Sequence, residues 1–127
     1  MERLLAEIEH LRRRHPAVQV GENSRWLMIP EYLLPLGWNR ERTRLLVVIP
    51  PEYPHCPPDN FYVEVGLRLA ANNQMPSNYS EGQCPTGGQW GCFSFHAEVW
   101  RPAPEIDKGD NILTFLTAAR LRLQEIN

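Results

Sequence analysis

Residues 43–65 read TRLLVVIPPEYPHCPPDNFYVEV, and this stretch carries the strongest signal for the architecture of the chain. Its two ends are rich in aliphatic, aromatic and β-branched residues, which are typical of strands. The prolines between them fix φ and remove amide donors, so residues 50–58 cannot pair in the interior of a sheet. The stretch therefore predicts two strands, residues 43–49 and 60–65, joined by a stiff turn.

Upstream of this stretch, the chain predicts an amphipathic helix. Leu4, Ile8 and Leu11 recur at helical spacing, whereas charged residues such as Glu7 occupy the other positions. Pro16 then ends the helix. Three basic residues occupy its last turn: Arg12, Arg13 and Arg14. Basic side chains at this end are favoured by the helix dipole.

Downstream of residues 43–65, the regular spacing of hydrophobic residues first disappears and then returns. Residues 70–91 are rich in asparagine, proline and glycine, which predicts a long loop; such loops are often functional, and disorder is the alternative. Asp110 would then cap a helix whose apolar face has four members. They are Ile112, Leu116, Ala119 and Leu123. With residues 26–29 as a further strand, the order helix, antiparallel meander, long loop and helix predicts one α+β domain over residues 1–127.

Composition excludes several classes of protein. The chain has 13 basic and 15 acidic side chains and a net charge of −2, so we expect it to bind neither nucleic acid nor a membrane surface. Its longest aliphatic run, residues 45–49, is too short to span a bilayer, and its acidic start differs from a secretory signal. Its 3 cysteines cannot all pair within one chain, which favours a reducing compartment and predicts a cytoplasmic protein.

Two motifs carry chemical information. The first is the proline turn YPHCPP at residues 53–58, and the second runs from Cys92 through seven further residues to Trp100-Arg101-Pro102. Together they resemble the ubiquitin-conjugating enzymes, which carry a Tyr-Pro-x-x-Pro-Pro turn before the last sheet strand and a catalytic cysteine eight positions before Trp-x-Pro. We expect the other motif residues to support the site: Tyr53, Pro54, Pro57, Pro58, Trp100 and Pro102.

The resemblance implies a conjugating enzyme, which accepts a ubiquitin-like protein from an activating enzyme as a thioester on Cys92 and transfers it to an acceptor. Such a reaction needs an accessible thiolate, a donor near the developing oxyanion and little water, but no small cofactor. The family likeness also implies that the first helix, with Arg12, Arg13 and Arg14, docks the activating enzyme; a solvated helix end is the alternative. The chain is similar to minimal bacterial members encoded beside ubiquitin-like proteins and JAB-type peptidases, which implies a role in antiphage defence.

The candidates for assisting Cys92 are Asn78, Ser94 and His96. In an extended chain, Ser94 and His96 share the face of Cys92, and His96 could serve as a base or an oxyanion donor, although a surface histidine is the commoner outcome. Family members usually carry His-Pro-Asn a few residues before the cysteine, whereas the nearest likeness here ends at Asn78, fourteen positions before Cys92. Ser94 is also an alternative nucleophile that would form an oxyester.

Other interpretations stay open at this point. Cys84 and Cys56 are weaker candidates for the nucleophile, because free cysteines are commonly small core residues. Cys84, Cys92 and His96 lack the second close ligand pair of a zinc site, and residues 87–88 lack the lysine of a phosphate loop. The main alternative function is a non-catalytic module that binds a ubiquitin-like protein, and a third is an adaptor that shares only the proline turn.

Overall fold

The computed structural model describes residues 2–127, which form an antiparallel sheet of six strands and two α-helices. Met1, which belongs to the predicted domain, lies outside the described residues. The helices are α1 (Glu2–Arg14) and α2 (Ile112–Gln124). The strands are β1 (Gln19–Val20), β2 (Trp26–Leu33), β3 (Arg42–Val48), β4 (Phe61–Val63), β5 (Tyr79–Gln83) and β6 (Gln89–Phe93). The predicted α+β class is confirmed.

The sheet combines the predicted meander with a hairpin that the sequence analysis missed. Its strand order is β1-β2-β3-β4-β6-β5, so β6 pairs with both β4 and β5 inside the sheet. The prediction of a loop over the whole of residues 70–91 is therefore wrong beyond Asn78. The hairpin turns at Gly87 and Gly88, which both have positive φ. Glycine adopts this conformation without strain, and the same glycines made the segment resemble a continuous loop.

Both helices pack on one face of the sheet and form the main core. From α1 the core takes Leu4, Ile8 and Leu11, as the helical spacing predicts. From α2 it takes Ile112, Phe115, Ala119 and Leu123. Leu116 is only half-buried, because the larger side chain of Phe115 takes the inward position at that turn of the helix.

Glu7 contradicts the predicted polar surface of α1, because it is completely buried, with 0% of its surface exposed. Its carboxylate accepts hydrogen bonds from Arg3, Tyr53 and the backbone amide of Ile112. A carboxylate is tolerated in a protein interior when its oxygens are hydrogen-bonded in this way. Helical periodicity alone cannot identify such partners, because they come from distant parts of the chain.

The first turn of α2 is capped by Asn111 and not by Asp110. The Asn111 side chain accepts from the Thr114 amide at 3.0 Å, and the Thr114 hydroxyl accepts from the Asn111 amide at 2.9 Å, which forms a capping box. Asp110 instead accepts a hydrogen bond from the Arg101 amide at 2.7 Å. The predicted cap was thus wrong by one residue, and Asp110 connects the helix start to the Trp-Arg-Pro motif.

The opposite face of the sheet carries a second, smaller apolar cluster. Because side chains alternate along each strand, residues between two core positions point to this face. Its buried members are Leu46, Tyr62, Cys84 and Trp90. Trp26, Met28, Val48 and Cys92 pack at its margin and are partly buried. We call these eight residues the outer cluster, and Cys92 therefore lies on the sheet face opposite the helices.

Candidate active site

Trp100 and the proline turn hold each other in place, on the C-terminal side of Cys92. The Trp100 indole donates a hydrogen bond to the Pro54 carbonyl at 2.7 Å, and its ring lies 6.1 Å from the ring of Tyr53. Pro58 is buried at the end of the turn, whereas Pro57 and Pro102 are half-buried. These contacts join the two sequence motifs, which are far apart along the chain, into one structural unit.

Cys92 lies in strand β6, whereas the loop predicted over residues 70–91 would have placed it directly at the end of a loop. Its cross-strand neighbours are Tyr62 of β4 and Ser80 of β5. The side chain is half-buried at the margin of the outer cluster, whereas Ser80 beside it is exposed. The sulfur is therefore neither enclosed in the main core nor fully solvated.

The surroundings of Cys92 oppose ionisation of its thiol. Burial raises the pKa of Cys92, and nearby Cys84 and Asp59 act in the same direction, whereas a hydrogen bond with Tyr62 lowers it. Burial also raises the pKa of Tyr62 to about 12, so its hydroxyl keeps its proton at neutral pH. The cross-strand neighbour of Cys92 is therefore a protonated tyrosine, and the Cys92 thiol is itself mostly protonated at neutral pH.

Ser94 and His96 follow Cys92 on the same face of the chain. The intervening aromatic residues point the other way: Phe93 stacks on Phe61 at 4.9 Å, and Phe95 packs against the main core. Over four residues an extended chain rises about 13 Å, so sharing a face does not bring His96 to the sulfur. The structure instead pairs His96 Nδ1 with a carboxylate oxygen of Asp59.

Asn78 reaches the site through the β5–β6 hairpin although it lies far from Cys92 in sequence. Its backbone carbonyl accepts a hydrogen bond from the Ser94 amide at 2.8 Å, and its φ is +54°. Its side chain is exposed. Asn78 therefore contributes a backbone contact beside the site, and the structure does not place its amide against Cys92.

Sequence reasoning missed three neighbours of the candidate residues. They are Tyr62, Ser80 and Asp59. Tyr62 lies in a predicted strand, and the alternation of that strand could have shown that it points away from the main core. Which residue it faces depends on the register between strands, and a single sequence does not contain that information.

The other two cysteines have different surroundings. Cys56 is exposed in the proline turn, and Cys84 is buried in the outer cluster, where its sulfur lies 3.2 Å from the Thr86 hydroxyl. All three thiols are free. Of these, only the half-buried Cys92 combines partial access with a buried tyrosine as its direct cross-strand neighbour.

Elsewhere, Arg12, Arg13 and Arg14 are exposed at the end of α1, and Arg12 lies 4.0 Å from Glu9. Among residues 2–127, no group of three histidine, cysteine or acidic side chains is arranged to hold a metal ion. Neither α1 nor α2 has the length and apolar character that a membrane crossing requires.

Comparison with known proteins identifies the family of the chain. Residues 6–125 match the family model described as prokaryotic E2 family E. The comparisons found no matching curated protein and no matching solved structure. The match covers nearly the whole chain, including both motifs, the hairpin, α2 and α1 from residue 6 onwards. The chain therefore belongs to prokaryotic E2 family E, a divergent family of ubiquitin-conjugating-like proteins.

Proposed function

We propose that this protein carries a ubiquitin-like protein as a thioester on Cys92 and transfers it to an acceptor. The observation that supports this most directly is the half-buried Cys92 side chain, which faces Tyr62 across the strand pair, in a chain of this family. A reactive cysteine needs access for its substrate and a group that stabilises its charge. Cys56 offers only the first of these, and the buried Cys84 offers no access.

The proposed reaction exchanges one thioester for another. The Cys92 thiolate attacks the carbonyl carbon of the incoming thioester and forms a new C–S bond. The tetrahedral intermediate then expels the thiolate of the activating enzyme, which takes up a proton equivalent to the one that Cys92 released to solvent. An amine of the acceptor later attacks the same carbon, and Cys92 leaves. The two thioesters are nearly equal in energy, so the first step needs no further energy source.

The face around Cys92 leaves room for an acyl donor. Ser80, the neighbour of Cys92 in β5, and Ser94, two residues after it, are small and exposed, and Gly82 follows on β5 with open space beside its Cα. The partly buried residues of the outer cluster extend from Cys92 towards β2. We propose that the terminal segment of the ubiquitin-like protein lies along this face.

Reconstitution tests the proposal. The protein is incubated with ATP and with the activating enzyme and ubiquitin-like protein encoded in the same genome, and products are separated with and without reductant. We expect an adduct that disappears with reductant and is absent from Cys92→Ala, while Cys56→Ala still forms it. An adduct that persists in Cys92→Ala would overturn the assignment of Cys92.

Ser94 as the nucleophile makes a different prediction in the same experiment. An oxyester on Ser94 resists thiol reductants but is cleaved by hydroxide, and Ser94→Ala would abolish it. A serine hydroxyl needs a base for this reaction, and the candidate base is His96, whose Nδ1 contacts Asp59.

A non-catalytic module that binds a ubiquitin-like protein is the second candidate function. It is favoured by the burial that raises the pKa of the Cys92 thiol, because a structural cysteine has no need of a thiolate. Titration of the wild-type protein with the same ubiquitin-like protein would then show binding, with no adduct in the presence of ATP and the activating enzyme.

The partners follow from the proposed transfer. We propose that the exposed Arg12, Arg13 and Arg14 dock the activating enzyme and that the chain acts in the cytoplasm as one domain. Charge reversal at Arg13 tests the docking site, because it should slow loading of Cys92 without changing the thermal stability of the protein. A JAB-type peptidase and a role in antiphage defence remain predictions of the resemblance.

A further inference from the structure

Tyr62 in β4 is the direct cross-strand neighbour of Cys92 in β6. Both side chains point to the outer face, because the residues adjacent to them, Phe61, Val63 and Phe93, belong to the main core. Tyr62 is buried, with 7% of its surface exposed, and its hydroxyl acts to lower the pKa of the neighbouring Cys92 thiol. Strand register therefore places a tyrosine directly beside the residue on which the proposed transfer depends.

Two further features make this hydroxyl suited to donate. It keeps its proton at neutral pH, because burial raises its pKa to about 12, and the nearby Asn60 side chain acts against this rise. Asn60 is itself held, because its carbonyl oxygen accepts from the Phe95 amide at 3.0 Å. Asn60 thus fixes the start of β4 to the segment after β6 close to this hydroxyl, and an ordered donor costs little reorganisation during a reaction.

We propose that the Tyr62 hydroxyl is the hydrogen-bond donor of the transfer reaction. It donates first to the Cys92 thiolate and then to the carbonyl oxygen that becomes negative in the tetrahedral intermediate. When Sγ bonds to the carbonyl carbon, that oxygen lies one bond beyond the carbon, so a donor that reaches Sγ also reaches the oxygen after a small shift. Tyr62 keeps its proton throughout, and the electron pair returns to the carbonyl as the C–S bond to the activating enzyme breaks.

This inference rests on the proposed function and names a residue for a role that the resemblance leaves unfilled. The resemblance implies that an asparagine near the cysteine supports the oxyanion or the active-site loop. Here Asn78 offers its backbone carbonyl to the Ser94 amide, and its side chain is exposed. His96 is directed to Asp59. Tyr62 is the candidate donor that directly faces Cys92 across the strand pair.

Alkylation of Cys92 tests the first half of the proposal without any partner. Tyr62→Phe removes only the hydroxyl, and the rate of Cys92 alkylation by iodoacetamide is followed across pH by mass spectrometry of its peptide. Loss of one hydrogen bond to a charged group should reduce the thiolate population at pH 7 about tenfold. The more basic thiolate is a better nucleophile, so the net rate at pH 7 should fall roughly threefold and the profile should move to higher pH.

Tyr32→Phe is the matched control, because Tyr32 is a buried tyrosine that packs in the main core on the other face. It should leave the Cys92 profile unchanged. Should Tyr62→Phe fold poorly, site-specific 3-fluorotyrosine at position 62 keeps the shape, donates more strongly and should move the profile to lower pH. An unchanged profile in the folded Tyr62→Phe protein, or no shift with 3-fluorotyrosine, would overturn the proposal.

Thioester formation tests the second half. Alkylation develops no oxyanion, whereas transfer does, so Tyr62→Phe should slow single-turnover loading of Cys92 far more, by about 100-fold. A slowdown no larger than that of alkylation would overturn the oxyanion role. If wild-type protein forms no thioester at all while the alkylation profile still shifts, the proposed function and the oxyanion role both fail, and the hydrogen bond to the thiolate stands alone.

Discussion

The Tyr53 hydroxyl donates a hydrogen bond to the carboxylate of Glu7, which is completely buried between the two helices and the proline turn. The same carboxylate accepts from Arg3 Nε at 3.0 Å and from the Ile112 amide at 2.7 Å. One side chain of α1 therefore connects the turn before β4 with the first residue of α2. Because the turn also binds the indole of Trp100, this contact supports the segment that follows β6.

Removal of the Tyr53 hydroxyl should destabilise the protein. Tyr53→Phe leaves the ring against Trp100 but deprives the Glu7 carboxylate of one donor in a buried position. We expect the free energy of unfolding, measured by urea denaturation, to fall by about 1–3 kcal/mol. Tyr32→Phe should cost less, because Arg120 keeps its bond to the Leu33 carbonyl at 2.8 Å. Equal losses in both variants would contradict the special role of Glu7.

A methyl group at Gly91 should be poorly tolerated. A Cβ at this position would lie 2.2 Å from the Tyr79 hydroxyl oxygen, and the Tyr79 ring packs 5.1 Å from Phe93. Gly91→Ala should therefore lower the free energy of unfolding by about 1–3 kcal/mol. Gly82→Ala, in the neighbouring strand, has open space around the added Cβ and should change stability by less than about 0.5 kcal/mol. Thermal denaturation of the two variants measures the contrast.

Glu81 should contribute stability that disappears in acid. The Arg68 guanidinium lowers the pKa of Glu81 to about 2, helped by the Gly66 amide and the Tyr79 hydroxyl. A carboxyl whose pKa is depressed in the folded state stabilises that state above its ordinary pKa, and the contribution is lost as pH falls through the folded value.

Glu81→Gln should therefore lower the free energy of unfolding at pH 7 by about 1 kcal/mol, a modest value because solvent screens this ion pair. The difference from wild type should shrink as pH falls below about 4 towards 2. Urea denaturation at several pH values measures it, with exposed Glu98→Gln as the control. A difference that stays constant down to pH 2 would refute the assignment.

The three cysteines should react in the order of their exposure. Cys56 is exposed, Cys92 is half-buried and Cys84 is buried in the outer cluster. Pulse labelling of the native protein with N-ethylmaleimide, followed by peptide mass spectrometry, should modify Cys56 first and Cys92 more slowly. Cys84 should react only in denaturant. Labelling of Cys84 before Cys92 would contradict the position of the β5–β6 turn.

Much of the fold was predictable because its signals are local. These signals join residues only a few positions apart. They are the leucine spacing of α1 and, in residues 43–65, two strand-like runs with prolines between them. The structure accordingly has α1, β3, β4 and α2 close to their predicted positions. The hairpin of β5 and β6 escaped notice because glycine and asparagine weaken its alternation.

In the candidate site, too, some features were predictable from the sequence and others were decided only by the tertiary structure. The order and spacing of YPHCPP, Cys92 and Trp100 are properties of the chain alone, and they were enough to indicate the family that the later comparison identified. The neighbours of Cys92 were not predictable from the sequence, because Tyr62 lies 30 positions away and is brought beside Cys92 only by strand pairing. Side chains alternate along a strand with a period of two, so a shift of one residue in the pairing of β4 with β6 would turn every side chain of the shifted strand to the other face of the sheet. Packing of the aromatic core against both helices selects the register, and no local pattern in the sequence records that choice.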